Sequence, residues 1–301
     1  MGKTIYLAEP RGFCAGVRHA LETVENALNK YGAPIYVYHE IVHNDFVVSG
    51  LRKKGVVFVE NLSDIPTGAL VIFSAHGVSK DIESEAEQLG LKHIDATCPL
   101  VKKIHRKAVS FNKEGCFVFL IGHRTHPEVT GTLGYLDGNA AVIESELDIK
   151  NAQLPEADSG QTAYLTQTTL SIDDTADIVA ALKKKYPHIK GSGDICYATQ
   201  NRQNAVTLLS EKCDAVFVIG SAKSSNSNRL KEVARKLGVP AHLINSASEI
   251  KDCMLDGIEN IGISAGASAP ECLVEELIEF LRKKGWDSTV ELKCAGERVR
   301  F

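Results

Sequence analysis

The sequence is short of several things, and each shortage excludes something. Eight cysteines in 301 residues are too few for a disulfide scaffold, and the absence of any CxxC pair disfavours zinc ribbons and thioredoxin-like redox sites. Positive charge is not in excess: 34 Lys and Arg face 38 Asp and Glu, a net −4 with neutral His. Nucleic acid or a membrane surface would therefore find no broad basic face, although a local basic patch stays open. Long apolar runs are missing too, since FVFLI at 117–121 and AVFVI at 215–219 fall far short of a membrane span. The opening MGKTIYLAEP does not read as a signal peptide, and Tyr6 stands where myristoylation wants Ser or Thr. These absences point to a cytoplasmic protein with reduced thiols, no nucleic-acid partner and no membrane association.

What is present is an alternation. The segments TIYLAE, PIYVYHE, ALVIFSA, CFVFLIG, AYLTQ, DAVFVIG and NIGISAG have strand length and are mostly rich in branched and aromatic residues. Between them lie stretches with helical spacing, such as Val17, Leu21, Val24 and Leu28, or Leu273, Leu277 and Leu281. The pattern predicts an α/β fold with mostly parallel, buried strands. The polar stretch 151–161 is expected to be a surface loop, and the tail ending ELKCAGERVRF is expected to add no further domain.

Length alone suggests two domains, but internal repetition points to three. Cys14, Cys98 and Cys196 each follow a strand-like or turn segment and open a helical stretch, with Pro99 suited to a first helical turn. Counting forward to the next polar loop gives 29 residues from Cys14 to His43, 28 from Cys98 to His126 and 28 from Cys196 to Ser224. The following loop lies 60, 68 and 68 residues on, at Ser74, Thr166 and Ser264. Three similar units are expected over 1–97, 98–195 and 196–301, each offering one Cys and two polar loops at strand carboxyl ends, where open α/β sheets bind ligands. Chance register is the competing reading, because every α/β chain alternates.

Three thiolates cannot close a structural zinc site, which wants four ligands. They match a [4Fe-4S] cluster better, holding three irons and leaving the fourth open to an oxygen ligand. A helix start favours thiolate over thiol and suits an anionic cluster. Taken singly, each Cys could equally be a core or cap residue; it is the register that separates them. Cys116, Cys213, Cys253, Cys272 and Cys294 read as small hydrophobes.

The loops themselves suggest an anion. Ser224, Ser225 and Asn226 open one helix and Ser264 to Ser268 precede another, so hydroxyls and free N–H groups are available for phosphate. A serine helix start alone is an ordinary cap. His43, His76 and His126 in comparable loops strengthen the reading, because imidazoles add charge without Lys or Arg. Glu128, two residues after His126, is the natural proton carrier if burial raises its pKa, with Thr168 as a hydroxyl relay. The bland alternative is an acidic residue in a first helical turn, and Glu40 and Glu271 are rival candidates.

With these residues in place, the chain resembles the bacterial 4-hydroxy-3-methylbut-2-enyl diphosphate reductase (LytB) family. The motifs are RGFCAGV, EIVHN, SAHGVS, DATCPLV, GHRTHPEV, TQTTLS, DICYATQNRQ, SSNSNRL and AGASAPE, in order across nearly the whole chain. The resemblance implies a trefoil of three α/β units around a central [4Fe-4S] cluster, one per subunit, held by Cys14, Cys98 and Cys196 with one iron lacking a Cys ligand. It also implies that His43, His76, His126, Thr168, Ser224, Ser225, Asn226 and Ser268 contact the substrate diphosphate, and that Glu128 with Thr168 handles protons. The implied reaction is a reductive dehydroxylation, the last step of the non-mevalonate isoprenoid route, fed with electrons by a ferredoxin or flavodoxin.

Two departures flank these motifs: Arg124-Thr125 where relatives often have small residues, and Lys223 where Asn is common. They put loop charge in question more than chemistry. Two other functions fit the cysteine triad, a non-redox hydro-lyase and an iron–sulfur sensor, but the latter leaves the phosphate-type loops unexplained and finds no DNA-binding motif.

Overall fold

The computed structural model describes residues 2–151, 155–156, 160–191 and 193–294. The chain starts with β1 (Thr4–Glu9) and α1 (Ala15–Tyr31). Then follow β2 (Ile35–Tyr38), α2 (Asp45–Lys53), β3 (Val56–Val59), β4 (Leu70–Phe73), α3 (Lys80–Gln88) and β5 (Lys92–Asp95). After α4 (Pro99–Lys113) come β6 (Phe117–Ile121), α5 (Pro127–Leu133), β7 (Ala140–Ile143), α6 (Glu146–Asn151), β8 (Thr162–Thr166), α7 (Ile172–Lys185) and β9 (Lys190–Gly191). The last stretch holds α8 (Tyr197–Ser210), β10 (Ala215–Ile219), α9 (Ser225–Lys236), β11 (Ala241–Ile244), β12 (Asn260–Ala265), α10 (Glu271–Lys283) and β13 (Ser288–Lys293).

These strands make three sheets, ordered β3-β2-β4-β5, β7-β6-β8-β9 and β11-β10-β12-β1-β13. Every recorded strand pairing is parallel. The α/β class with parallel sheets is as expected from the alternation. All three sheets share one plan: a first strand flanked by the second and third, with a fourth outside the third. In the last sheet that fourth strand is β1, the first strand of the chain, and β13 adds a fifth beyond it. Residues 1–97 and 98–195 thus each contain a whole sheet, and 1–97 also lend β1 to the strands of 196–301.

By packing, the chain divides into two compact units, one gathering residues 1–18, 42–51 and 197–300, the other 19–41 and 52–196. In the first, β10 is buried along its whole length, and its residues alternate between two cores. Phe217 and Ile219 join Ile261, Ile263, Leu273, Leu277 and Trp286, while Val216 and Val218 join Val206, Leu209 and Leu230. In the second, β6 does the same: Val118 and Leu120 pack with Ile104 and Leu165, and Phe119 and Ile121 with Tyr164 and Leu182. A strand covered on both faces must be apolar throughout, which is why these segments read as unbroken runs. Each such side chain gains about 1.5–3 kcal/mol on leaving water.

The stretch expected as a loop at 151–161 is entered from α6, while 152–154 and 157–159 lie outside the described residues, as do 295–301 of the tail. Among the described residues no helix is long and apolar enough to cross a membrane.

Phe119 is fully buried on an interior strand and Val57 is 40% exposed on an edge strand. Phe119→Ala is expected to destabilise the protein by about 3–5 kcal/mol, and Val57→Ala by roughly 0.5 kcal/mol or less, in urea titrations. Equal losses would contradict the two-faced burial of the interior strands.

Candidate functional site

The site residues follow from a rule that repeats three times. Five residues after the end of each first strand (β2, β6, β10) stand His43, His126 and Ser224. Three residues after the end of β4 and β12 stand His76 and Ser268, and two after the end of β8 stands Thr168. The cysteines come next. In every case the residue two before the Cys donates its N–H to the last residue of the third strand, and the Cys donates its own to the carbonyl two residues further on. Gly12 and Cys14 bond to Ala265 O and Ala267 O, both at 3.1 Å. Ala96 and Cys98 bond to Phe73 O at 3.1 Å and Ala75 O at 3.0 Å. Asp194 bonds to the Thr166 hydroxyl oxygen and Cys196 to Thr168 O, both at 2.9 Å. Each Cys then immediately precedes a helix, α1, α4 or α8.

The residue that receives the Cys bond is itself held by the first loop. Thr168 N–H donates to Glu128 Oε1 at 2.6 Å, and Ala267 N–H donates to Asn226 Oδ1 at 2.9 Å. Glu128 and Asn226 both lie seven residues past their first strand. In the remaining repeat a main-chain carbonyl does this work, Ile41 O accepting from Ala75 N–H at 3.2 Å. The carboxylate of Glu128 is therefore linked to Cys196 through a single residue, Thr168.

In the unit containing 19–41 and 52–196, Cys98, Cys196, His76, His126, Glu128 and Thr168 occur together. Glu128 is only 3% exposed, and Thr168 also donates its hydroxyl to Oε2 at 2.8 Å. Burial pushes the Glu128 pKa up to about 7, against the two Thr168 bonds, which favour the carboxylate. His126 caps α5, its Nδ1 accepting from Glu128 N–H at 3.2 Å, so a neutral His126 carries its proton on Nε2. The His76 ring meets His126 edge-on at 5.7 Å between centroids, and Ser74 Oγ lies 3.3 Å from His76 Nδ1.

In the other unit, Cys14, His43, Ser224, Ser225, Asn226 and Ser268 occur together. Ser224 caps α9 through Ser227 N–H, and Ser225 is the first residue of that helix. Ser268 donates to His43 O at 3.0 Å, tying the two loops together. Asn226 is 4% exposed, and its Nδ2 donor has no protein partner. A buried donor at a helix start is costly unless a ligand satisfies it, and an anion does so best. The rival Glu271 is held by Arg11, with two guanidinium contacts on Oε1, and so is removed from proton work.

Several residues escaped sequence reading. Asn44 caps α2 where a His was the expected focus, and buried Gln167 accepts from His123 N–H. Lys223 reaches Asp45 at 3.1 Å, and Arg124 is occupied by Glu144 and Asp148, so both flanking basic residues are paired with acids. Only the apolar-to-polar switch at the strand ends hinted at these neighbours.

None of the eight cysteines is in a disulfide. Cys14, Cys98 and Cys196 are partly exposed, and Cys14 Sγ accepts from Val17 N–H at 3.4 Å. Among the described residues no three His, Cys, Asp or Glu are arranged around a single metal ion. Thiols at helix starts are the type of donor that could hold an iron–sulfur cluster.

The raised Glu128 pKa makes a stability prediction. Ionising the buried acid opposes folding, so the stability present below its ordinary value of 4.5 is lost as pH rises through about 7. Glu128→Gln is expected to be more stable than the parent above pH 7, by an amount on the order of 3 kcal/mol, with the gap closing toward pH 4. Denaturant midpoints measured across that range check it; parallel curves would contradict the burial of a titrating acid.

Comparison with known proteins adds to this geometry. The chain matches the LytB protein family over residues 5–282. The 4-hydroxy-3-methylbut-2-enyl diphosphate reductase of Aromatoleum aromaticum is 52% identical over 301 residues, covering 99% of this chain and 96% of the relative. The same-named protein of Hahella chejuensis is 51% identical over 303 residues, covering 99% and 95%. The solved E-1-hydroxy-2-methyl-but-2-enyl-4-diphosphate reductase from Plasmodium falciparum superposes with a TM-score of 0.96 at 40% identity, covering 99% of this chain and 94% of that one.

Proposed function

This chain belongs to the LytB family, and on that premise we propose that it reduces (E)-4-hydroxy-3-methylbut-2-enyl diphosphate to isopentenyl and dimethylallyl diphosphate, the closing step of the non-mevalonate route. The conversion takes up two electrons and two protons. The allylic C–O bond breaks, the oxygen leaves as water with one proton, and the second proton ends on an allyl carbon. Cys14, Cys98 and Cys196 would hold a [4Fe-4S] cluster, one per subunit, which when bound would supply single electrons and one Lewis-acidic iron without a Cys ligand. The electrons come from a small one-electron carrier of the ferredoxin or flavodoxin type, in the cytoplasm. The spans 1–97, 98–195 and 196–301 are read as three repeats, each contributing one ligand.

The diphosphate is gripped by His43, His76, His126, Ser224, Ser225, Asn226 and Ser268, with Thr168 at the reacting end. The orphaned Asn226 Nδ2 is the donor that most needs such an acceptor. Nothing in the overall charge of −4 attracts the substrate, so local N–H groups, hydroxyls and imidazoles must hold it.

The observation that carries the proton chemistry is the Glu128–Thr168 pair. An acid with a pKa of about 7 is partly protonated at neutral pH and can give a proton to a departing hydroxyl. Thr168, bonded to Glu128 through both its N–H and its hydroxyl, fixes the carboxyl in place and offers a short relay.

Glu128→Gln is expected to keep substrate affinity and to lose about 100-fold or more in kcat. In the parent enzyme kcat should fall as pH rises through about 7, where the acid loses its proton. Stopped assays with dithionite and a viologen mediator read both effects. Parent-like turnover in the variant would take Glu128 out of the proton path, and turnover without any electron donor would favour a hydro-lyase.

A further inference from the structure

Arg202 lies on α8, six residues past Cys196, and only 1% of it is exposed. A guanidinium is costly to bury, and its recorded bonds are directed at the backbone. Nε and Nη2 both donate to Gly12 O, at 3.1 and 2.7 Å, and Nη1 donates to Ala198 O at 2.8 Å. Gly12 precedes Cys14 by two residues, and Ala198 follows Cys196 by two.

Gly12 is thus held from both sides. Its N–H goes to Ala265 O, its carbonyl takes two guanidinium donors, and its φ of +66° is a conformation other residues resist. An added Cβ there would lie 3.2 Å from Ala269 O, so the segment has little room to shift. The same position before Cys196 is Asp194, and it too is anchored by a basic side chain, Lys107 on the helix that follows Cys98. Two of the three cysteine-bearing segments are therefore pinned two residues upstream by a cation from a helix that itself begins at a Cys.

We propose that Arg202 is a positioning residue for the iron–sulfur group: its two-pronged grip on Gly12 O sets where the Cys14 sulfur is presented, beyond what the cysteine's own backbone bond fixes. The assignment rests on the cluster-binding reading given above. It concerns no reacting atom, since Arg202 acts through Gly12 and the Cys14 backbone. Supports of this kind tune the ligand geometry and electronic environment of a metal group.

The test compares the reconstituted parent protein with Arg202→Lys and Arg202→Gln, after circular dichroism has established that each is folded. Three quantities are read: the EPR spectrum of the reduced cluster, its midpoint potential, and iron retained under a chelator. Neither substitute can place two parallel donors on Gly12 O, so both are expected to alter the EPR line shape and potential. Iron retention should weaken roughly ten-fold or more, with Lys the milder variant because it keeps one charged donor. A variant that melts earlier as apoprotein but shows the parent's spectrum, potential and iron retention would make Arg202 a merely structural plug and overturn the proposal. A parent chain that takes up no cluster would instead overturn the reading on which it rests. If Arg202→Gln does not fold, Arg202→Lys decides alone by the same three quantities.

Discussion

One residue per repeat ties each cysteine to its neighbouring loop. Ala75, Thr168 and Ala267 each sit two residues beyond a third strand, donate their N–H to the neighbouring loop, and accept the N–H of a cysteine. Each bond is worth about 0.5–1.5 kcal/mol net, but the pair fixes both the N–H and the C=O of a single residue. A cysteine hung in this way cannot move without moving the loop that would hold substrate. Where the loop acceptor is a carboxylate, as at Glu128, the residue that accepts from Cys196 also donates to that carboxylate. The ligand, substrate grip and acid of the proposed function would therefore be set by one local device rather than by three independent ones.

That device explains how burial and function coexist at Glu128. Asn226 holds the equivalent place and does the same backbone work without charge. In these two repeats the acceptor stands seven residues after the first strand, and the backbone bond does not need an acid there. Putting a carboxyl there costs stability when it ionises, and the accompanying rise in pKa is what suits it to proton transfer near neutrality. At the matching place, the uncharged amide leaves a buried donor unsatisfied, which suits it to an anion.

The legibility of the fold followed burial. TIYLAE, PIYVYHE, ALVIFSA, CFVFLIG, AYLTQ, DAVFVIG and NIGISAG correspond to β1, β2, β4, β6, β8, β10 and β12, all flanked on both sides within their sheets. The strands that passed unnoticed, β3, β5, β7, β9, β11 and β13, are all edge strands. KHID and STVELK are mostly polar because an edge strand is half wetted, and KG is two residues long; only STVELK carries a brief alternation, at Val290 and Leu292, and none carries an apolar run. The place of β1 was hidden for a different reason: pairing with β12 and β13 joins the two ends of the chain, and no local pattern encodes so distant a partner. Of the site, the cysteines and strand-end loops were readable because the repeat spacing marks them. Arg202 and the Lys107–Asp194 pair were not, since each acts on a residue far away in sequence and neither breaks the helical pattern around it.

The central claim is that three equivalent thiols hold a four-iron cluster with one iron left for substrate. Mössbauer spectra of iron-57-loaded protein, recorded with and without the diphosphate substrate, address it directly. The account predicts a [4Fe-4S] signal in which one distinct iron responds to substrate while the other three stay essentially as they were. Four irons indifferent to substrate, or no four-iron signal in fully loaded protein, would contradict it.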